Sequence, residues 1–130
     1  MEVQPKKASV KGPAEWFTGD VWLDPVAQAE APSRLAVNSV HFTPGARTAW
    51  HVHSNGQVLY VTEGEGLVQS RGEAVVTIRP GDTVHTPAEE WHWHGATPDR
   101  FMTHLSITEG DVEWGDHVTD AEYPGGGGPS

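Results

Sequence analysis

The stretch GARTAWHVHSNGQVLYVTEG, from Gly45 to Gly64, and its downstream companion GDTVHTPAEEWHWH, from Gly81 to His94, decide the reading of this chain. Each sets two histidines one residue apart, His51 with His53 and His92 with His94. Along a β-strand successive side chains point to opposite faces, so each pair shares one face of its strand. Imidazole is the commonest protein ligand for divalent transition metals, and two strand-alternate imidazoles can reach one ion from the same side. Two such pairs can converge inside a barrel, where a remote third histidine completes a site. Of the chain's 8 histidines, His41, His51, His53, His92, His94 and His104 lie in or beside segments that read as strands.

Outward from these stretches, short runs rich in β-branched and aromatic residues predict strands at Val21–Leu23, Leu35–Phe42, Val58–Thr62, Gly66–Ser70, Ala74–Ile78 and Phe101–Thr108. Turns are expected at Gly64-Glu65-Gly66 and at Arg79-Pro80-Gly81-Asp82. The 15 glycines and 10 prolines punctuate many short elements instead of marking one block. No amphipathic helix and no fixed-period repeat interrupts the pattern, so an antiparallel sandwich or barrel is expected, not alternating β and α units. Residues 124–130, from Pro124 to Ser130, have almost no side chain able to bury apolar surface and read as a flexible tail.

The length of 130 residues suits one domain. We expect a flexible N-terminal arm over 1–12, the domain over 13–123 and the tail beyond. With 8 Lys+Arg against 18 Asp+Glu the net charge is −10, which repels polyanions and argues against a nucleic-acid partner. The absence of cysteine removes disulfides, thiolate ligands and cysteine nucleophiles, leaving oxygen and nitrogen donors. Met1 to Gly12 lacks the apolar run of a secretory signal and nothing is long enough to cross a membrane, so a soluble, cytoplasmic protein without a membrane partner is expected.

The spacing Gly45-x5-His51-x-His53-x3-Gln57-x6-Gly64, followed by Gly81-x5-Pro87-x4-His92, resembles the two cupin motifs. The fold this resemblance implies is all-β: a single-domain cupin, the double-stranded β-helix or jelly-roll barrel. The implied metal ligands are His51, His53, Gln57 and His92. Three departures stand out. The family's glutamate is Gln57 here, the glycine after the second-motif proline falls on Glu89, and the closing asparagine falls on Ala96. Gln57 matters chemically, because three neutral imidazoles and one amide carbonyl leave a divalent ion nearly its full charge. Such a centre favours anionic or oxyanionic ligands and lowers the pKa of a hydroxyl brought to it.

Further segments narrow the resemblance: Lys11 to Gly19, Phe42 to His51, Trp91 to Pro98, Met102 to Leu105 and His117 to Asp120 look like the small bacterial cupins that include manganese-dependent hydroxynitrile lyases. The likeness implies reversible cleavage of an aromatic cyanohydrin to aldehyde and cyanide, with Mn(II) as the metal and Fe(II), Ni(II), Co(II) or Zn(II) as ions the same donors would accept. His94, on the strand face of His92, is the first catalytic candidate and His104 the second, both as proton carriers. Asn38, Val40, Phe42, Tyr60 and Thr108 are expected around the substrate pocket. His41, Tyr60, His85 and Thr108 differ from the comparable lyases, which bears on which small-molecule substrate is taken.

Three histidines with open positions can also hold Fe(II) and activate O₂, so a dioxygenase is the first rival reading, and a non-catalytic metal- or small-molecule-binding module the second. Sugar isomerase chemistry lacks the paired bases it would need. Trp50, Trp91 and Trp93 alternate away from the histidine face and are expected to pack on the outer layer or on another subunit. Trp16 and Phe17 are expected to cover a neighbouring sheet, and the protein to be a homo-oligomer, dimer or tetramer.

Overall fold

The computed structural model describes residues 1–125, and among these no helix occurs. Thirteen strands form two curled sheets that face each other as a jelly-roll barrel. In chain order they are β1 Val10–Lys11, β2 Phe17–Thr18, β3 Val21–Gln28, β4 Leu35–Phe42, β5 Arg47–Thr48, β6 His51–His53, β7 Gln57–Gly64, β8 Gly66–Ser70, β9 Val76–Ile78, β10 Thr83–Thr86, β11 His92–Ala96, β12 Met102–Glu109 and β13 Val112–Trp114. The all-β, cupin-type architecture expected from the motifs is therefore present.

One sheet runs β1-β3-β4-β12-β7-β10, with all pairs antiparallel. Its backbone is the long pairing of β12 with β4, from Met102 opposite Phe42 to Glu109 opposite Leu35. The residues whose alternation faces inward are Asn38, Val40 and Phe42 on β4 and Gln57, Leu59 and Val61 on β7. β4 and β8 have the predicted limits. β3 continues past its predicted end to Gln28 because Pro25 sits where the pairing with β4 slips a register, and a bulge is where a strand tolerates a residue without an N–H.

The second sheet contains β13, β6, β11, β5 and β2, with β8 on the other side of β11 and β9 beyond β8. β5 and β6 pair with the same edge of β11, Arg47 opposite Gly95 and His51 opposite His92. Four steps on one strand span three on the other, so Ala49 and Trp50 carry a one-residue bulge. The bulge resets the phase. Thr48 and His51 are an odd number of residues apart and both face the barrel interior, which an unbroken strand forbids. β2 pairs with β5 and β13 with β6, so the early and late strands lie end to end along one edge.

The core between the sheets is apolar at its floor, where Val21, Val40, Phe42, Ala46, Val61, Val68, Ile78, Ala96 and Met102 are buried together. A second cluster lies outside the second sheet: Trp50, Leu67, Trp93, Val118 and Tyr123 pack there with Trp91 alongside. The three tryptophans that flank the histidines thus turn away from them and hold the C-terminal segment instead. That segment is also pinned by polar contacts. Tyr123 donates its hydroxyl to Ala96 O at 2.6 Å, and the buried Arg47 donates to Val118 O and Asp120 while stacking 4.4 Å over the Tyr123 ring. The strand Val10–Lys11 falls within the segment 1–12 read as an arm, and residues 126–130 of the expected tail lie outside the described residues.

Candidate metal centre

Two sheets bring four histidines and a glutamine to one end of the barrel interior. β6 supplies His51 and His53, β11 supplies His92 and His94, and the first residue of β7 supplies Gln57 from the opposite sheet. The Ser54-Asn55-Gly56 turn makes that approach possible. Gly56 has φ +84°, and a Cβ there would sit 2.7 Å from Thr86 O, so a side chain would be both strained and blocked.

The potential ligand atoms of His51, His53 and His92 all lie within 4.8 Å of one another. Backbone carbonyls fix which nitrogen faces inward. His51 Nδ1 lies 2.9 Å from Ala49 O and His92 Nδ1 lies 2.9 Å from Glu90 O, so each Nδ1 carries the proton and each Nε2 presents a lone pair. His53 Nε2 is buried without a partner. Gln57 donates its amide N–H to Ser106 Oγ at 2.8 Å, leaving its carbonyl oxygen 2.9 Å from His92 Nε2. Two lone pairs then face each other across a buried gap with no proton between them, an arrangement that a shared cation relieves.

Burial, then the neighbouring His92, pushes His51 well below the ordinary histidine pKa and His53 down to about 4. Burial lowers His92 as well. The imidazoles are therefore neutral at pH 7, the form that binds metals. A buried set of neutral nitrogen donors with one oriented carbonyl fits a divalent transition metal, and His51, His53, Gln57 and His92 are the residues that could hold it.

Beside this set lies a cavity of about 260 Å³, lined mainly by apolar groups. His94 lines it. Its Nδ1 is 2.9 Å from His104 Nε2, while its own Nε2 is buried and unpartnered. Burial, reinforced by His104, holds His94 well below the usual histidine range, and burial brings His104 to about 4. Asn38, Val40 and Thr108 line the cavity. Phe42 does not. It lies under the histidine pair, its ring 5.9 Å from that of His94 and 5.3 Å from that of His104. Tyr60 is placed on the wrong face by the pocket expectation: with Gln57 and Leu59 inward, alternation turns Tyr60 outward, and it is 42 % exposed. His41 also faces outward, between Asp24 at 2.9 Å and Thr103 at 3.1 Å.

Several cavity residues escape the motif reading. Ser106 could have been found, since it alternates between His104 and Thr108. Thr48 could not, because the bulge that turns it inward has no sequence mark. Trp16 and Phe17, expected to cover a neighbouring sheet, line the cavity within this chain together with Trp114 from β13.

The chain belongs to the cupin family: the family model described as "Cupin domain" matches residues 38–108, spanning β4 to most of β12. Within it the chain is 54 % identical over 121 residues, 90 % of this chain and 92 % of the relative, to an (R)-mandelonitrile lyase of Granulicella tundricola. Its structure is similar to that of a cupin-like protein from Thermotoga maritima, with 38 % identity, a TM-score of 0.85 and 95 % of each chain covered. A cupin-2 domain from Rhodospirillum rubrum shares the fold at 18 % identity and a TM-score of 0.70, over 94 % of this chain and 82 % of that one.

Proposed function

We propose that the protein is a metal-dependent hydroxynitrile lyase that reversibly cleaves an aromatic cyanohydrin to aldehyde and hydrogen cyanide, with Mn(II) held by His51, His53, Gln57 and His92. The observation that carries this reading is the placing of His94, with a free buried Nε2, in one small apolar cavity beside the donor set. The 54 % identity to a protein named (R)-mandelonitrile lyase supports the same chemistry.

A divalent ion in this site supplies Lewis acidity, which lowers the pKa of a hydroxyl brought to it. The apolar walls exclude water and favour the aryl end of the substrate. His94 handles the proton. When its Nδ1–H donates to His104 Nε2, its own Nε2 is a base that takes the cyanohydrin hydroxyl proton. The O–H electron pair becomes the carbonyl π bond, the carbon–carbon bond to the nitrile breaks, and its pair leaves on cyanide. His94 then returns the proton to cyanide, so one cyanohydrin yields one aldehyde and one hydrogen cyanide with no oxidant. His104 acts through His94, as a positioning residue that fixes which nitrogen faces the cavity.

We further propose a homo-oligomer. The outer face of the six-stranded sheet carries Leu35, Val37, Val58, Tyr60, Leu105 and Ile107 in adjacent rows, with Leu35 40 % and Tyr60 42 % exposed. A contiguous apolar face of this kind favours a covering subunit.

The test is product analysis on mandelonitrile with the metal-loaded protein under anaerobic conditions. Benzaldehyde and cyanide in equal amounts are expected. Conversion only when oxygen is admitted, with an oxidised product, would replace the lyase reading by the dioxygenase one.

A further inference from the structure

The mouth of the cavity is built by the two ends of the domain. β2 and β13 lie end to end on the same sheet edge, and Trp16 and Trp114 meet at their junction. Their rings are parallel, 6° apart in plane and 5.2 Å between centroids. Phe17 tilts against Trp114 at 5.8 Å, and the Trp114 ring lies 4.7 Å from that of His51. All three aromatic residues line the cavity, and Trp16 is 36 % exposed at its rim. Ala49 N donates to Trp16 O at 2.8 Å and Gly115 N to Trp50 O at 2.7 Å, so backbone bonds on both sides of the bulge hold the pair in place.

This position has a chemical consequence. Trp114, His51 and His94 line the same cavity, so a group bound beside the two histidines shares that space with the Trp114 ring. A flat aromatic ring gains offset-stacked or edge-to-face attraction from such a wall in addition to burying area, because the ring quadrupoles complement one another. A saturated ring of similar size gains only the area.

We propose that Trp114, braced by Trp16, is the specificity-determining wall of this site and selects aryl over alicyclic substrates. The inference deepens the lyase reading and rests on it for the identity of the substrate, but the aromatic preference is a binding property that can be measured without turnover.

The experiment titrates the full-length protein with benzyl alcohol and with cyclohexylmethanol, two inert probes that differ mainly in ring aromaticity, following the indole N–H resonances by NMR. Benzyl alcohol should bind about three- to tenfold more tightly, with ring-current shifts at Trp114. In Trp114→Leu the ratio should fall to near unity, and in Trp16→Leu part of the way, which keeps the test decisive if the first variant does not fold. A purely structural role would weaken both probes together and leave the ratio unchanged. Equal affinities in the wild type, or a ratio that survives both variants, overturns the proposal. If the ratio behaves as expected while mandelonitrile is not cleaved, the wall stands and the lyase reading fails; turnover with a Trp114-independent ratio does the reverse.

Discussion

Acid should destabilise the metal-free protein through His104 in a way that a single substitution isolates. His104 is wholly buried, and its pKa falls from 6.5 to about 4 because burial penalises the imidazolium. The unfolded chain therefore binds a proton below 6.5 that the folded chain refuses until about 4. Stability contributed by keeping His104 neutral is present above pH 6.5 and is lost as pH falls towards 4. At pH 5.5 the unfolded histidine is mostly protonated and the folded one is not, which amounts to roughly 1 kcal/mol relative to pH 7.5. His51, His53, His92 and His94 shift in the same direction, so the wild type should lose more than this one increment. The assay is urea denaturation of chelator-treated wild type and His104→Leu at pH 7.5 and 5.5. The variant should lose roughly 1 kcal/mol less on acidification than the wild type. Equal acid losses in the two proteins would refute the reasoning, whatever the variant's stability at pH 7.5.

Other outcomes follow from single contacts. Ser106→Ala removes the hydroxyl that receives the Gln57 amide, and calorimetric titration with Mn(II) should show an affinity about tenfold weaker. Glu89 is the one non-glycine residue with positive φ among the described residues, at 65°, so Glu89→Gly should raise stability by about 0.5–1 kcal/mol, read as a higher melting temperature. Tyr60→Asp places a charge on the apolar outer face and should shift the sedimentation coefficient towards that of a monomer, while an unchanged value would remove that face from the assembly.

The fold and the donor set were legible for different reasons. Alternation of His51 with His53 and of His92 with His94 placed each pair on one face, because a strand's period of two is rigid wherever no bulge intervenes. Glu89 shows the motif reading reaching down to the backbone: it occupies the cupin glycine position, and its chain still adopts the left-handed conformation, with its N–H donated to His53 O at 3.1 Å. Tyr60, expected around the pocket, lies outside it because the strand phase set by the inward-facing Gln57 turns it outward. Thr48 and Trp114 were illegible for a physical reason. Thr48 faces inward only through the Ala49–Trp50 bulge, and Trp114 reaches the cavity only because β13 joins an edge formed by residues far away in sequence.

We propose that carbon–carbon cleavage needs a metal held by the three imidazoles and Gln57. The most direct test is to titrate the metal-free protein with Mn(II) under anaerobic conditions and follow benzaldehyde release from mandelonitrile against bound metal, alongside His53→Ala. Activity that rises to a break at one ion per chain, and is absent in the variant, is the predicted result. Activity in the metal-free protein, or activity undiminished by His53→Ala, would show that cleavage does not depend on a metal at this site.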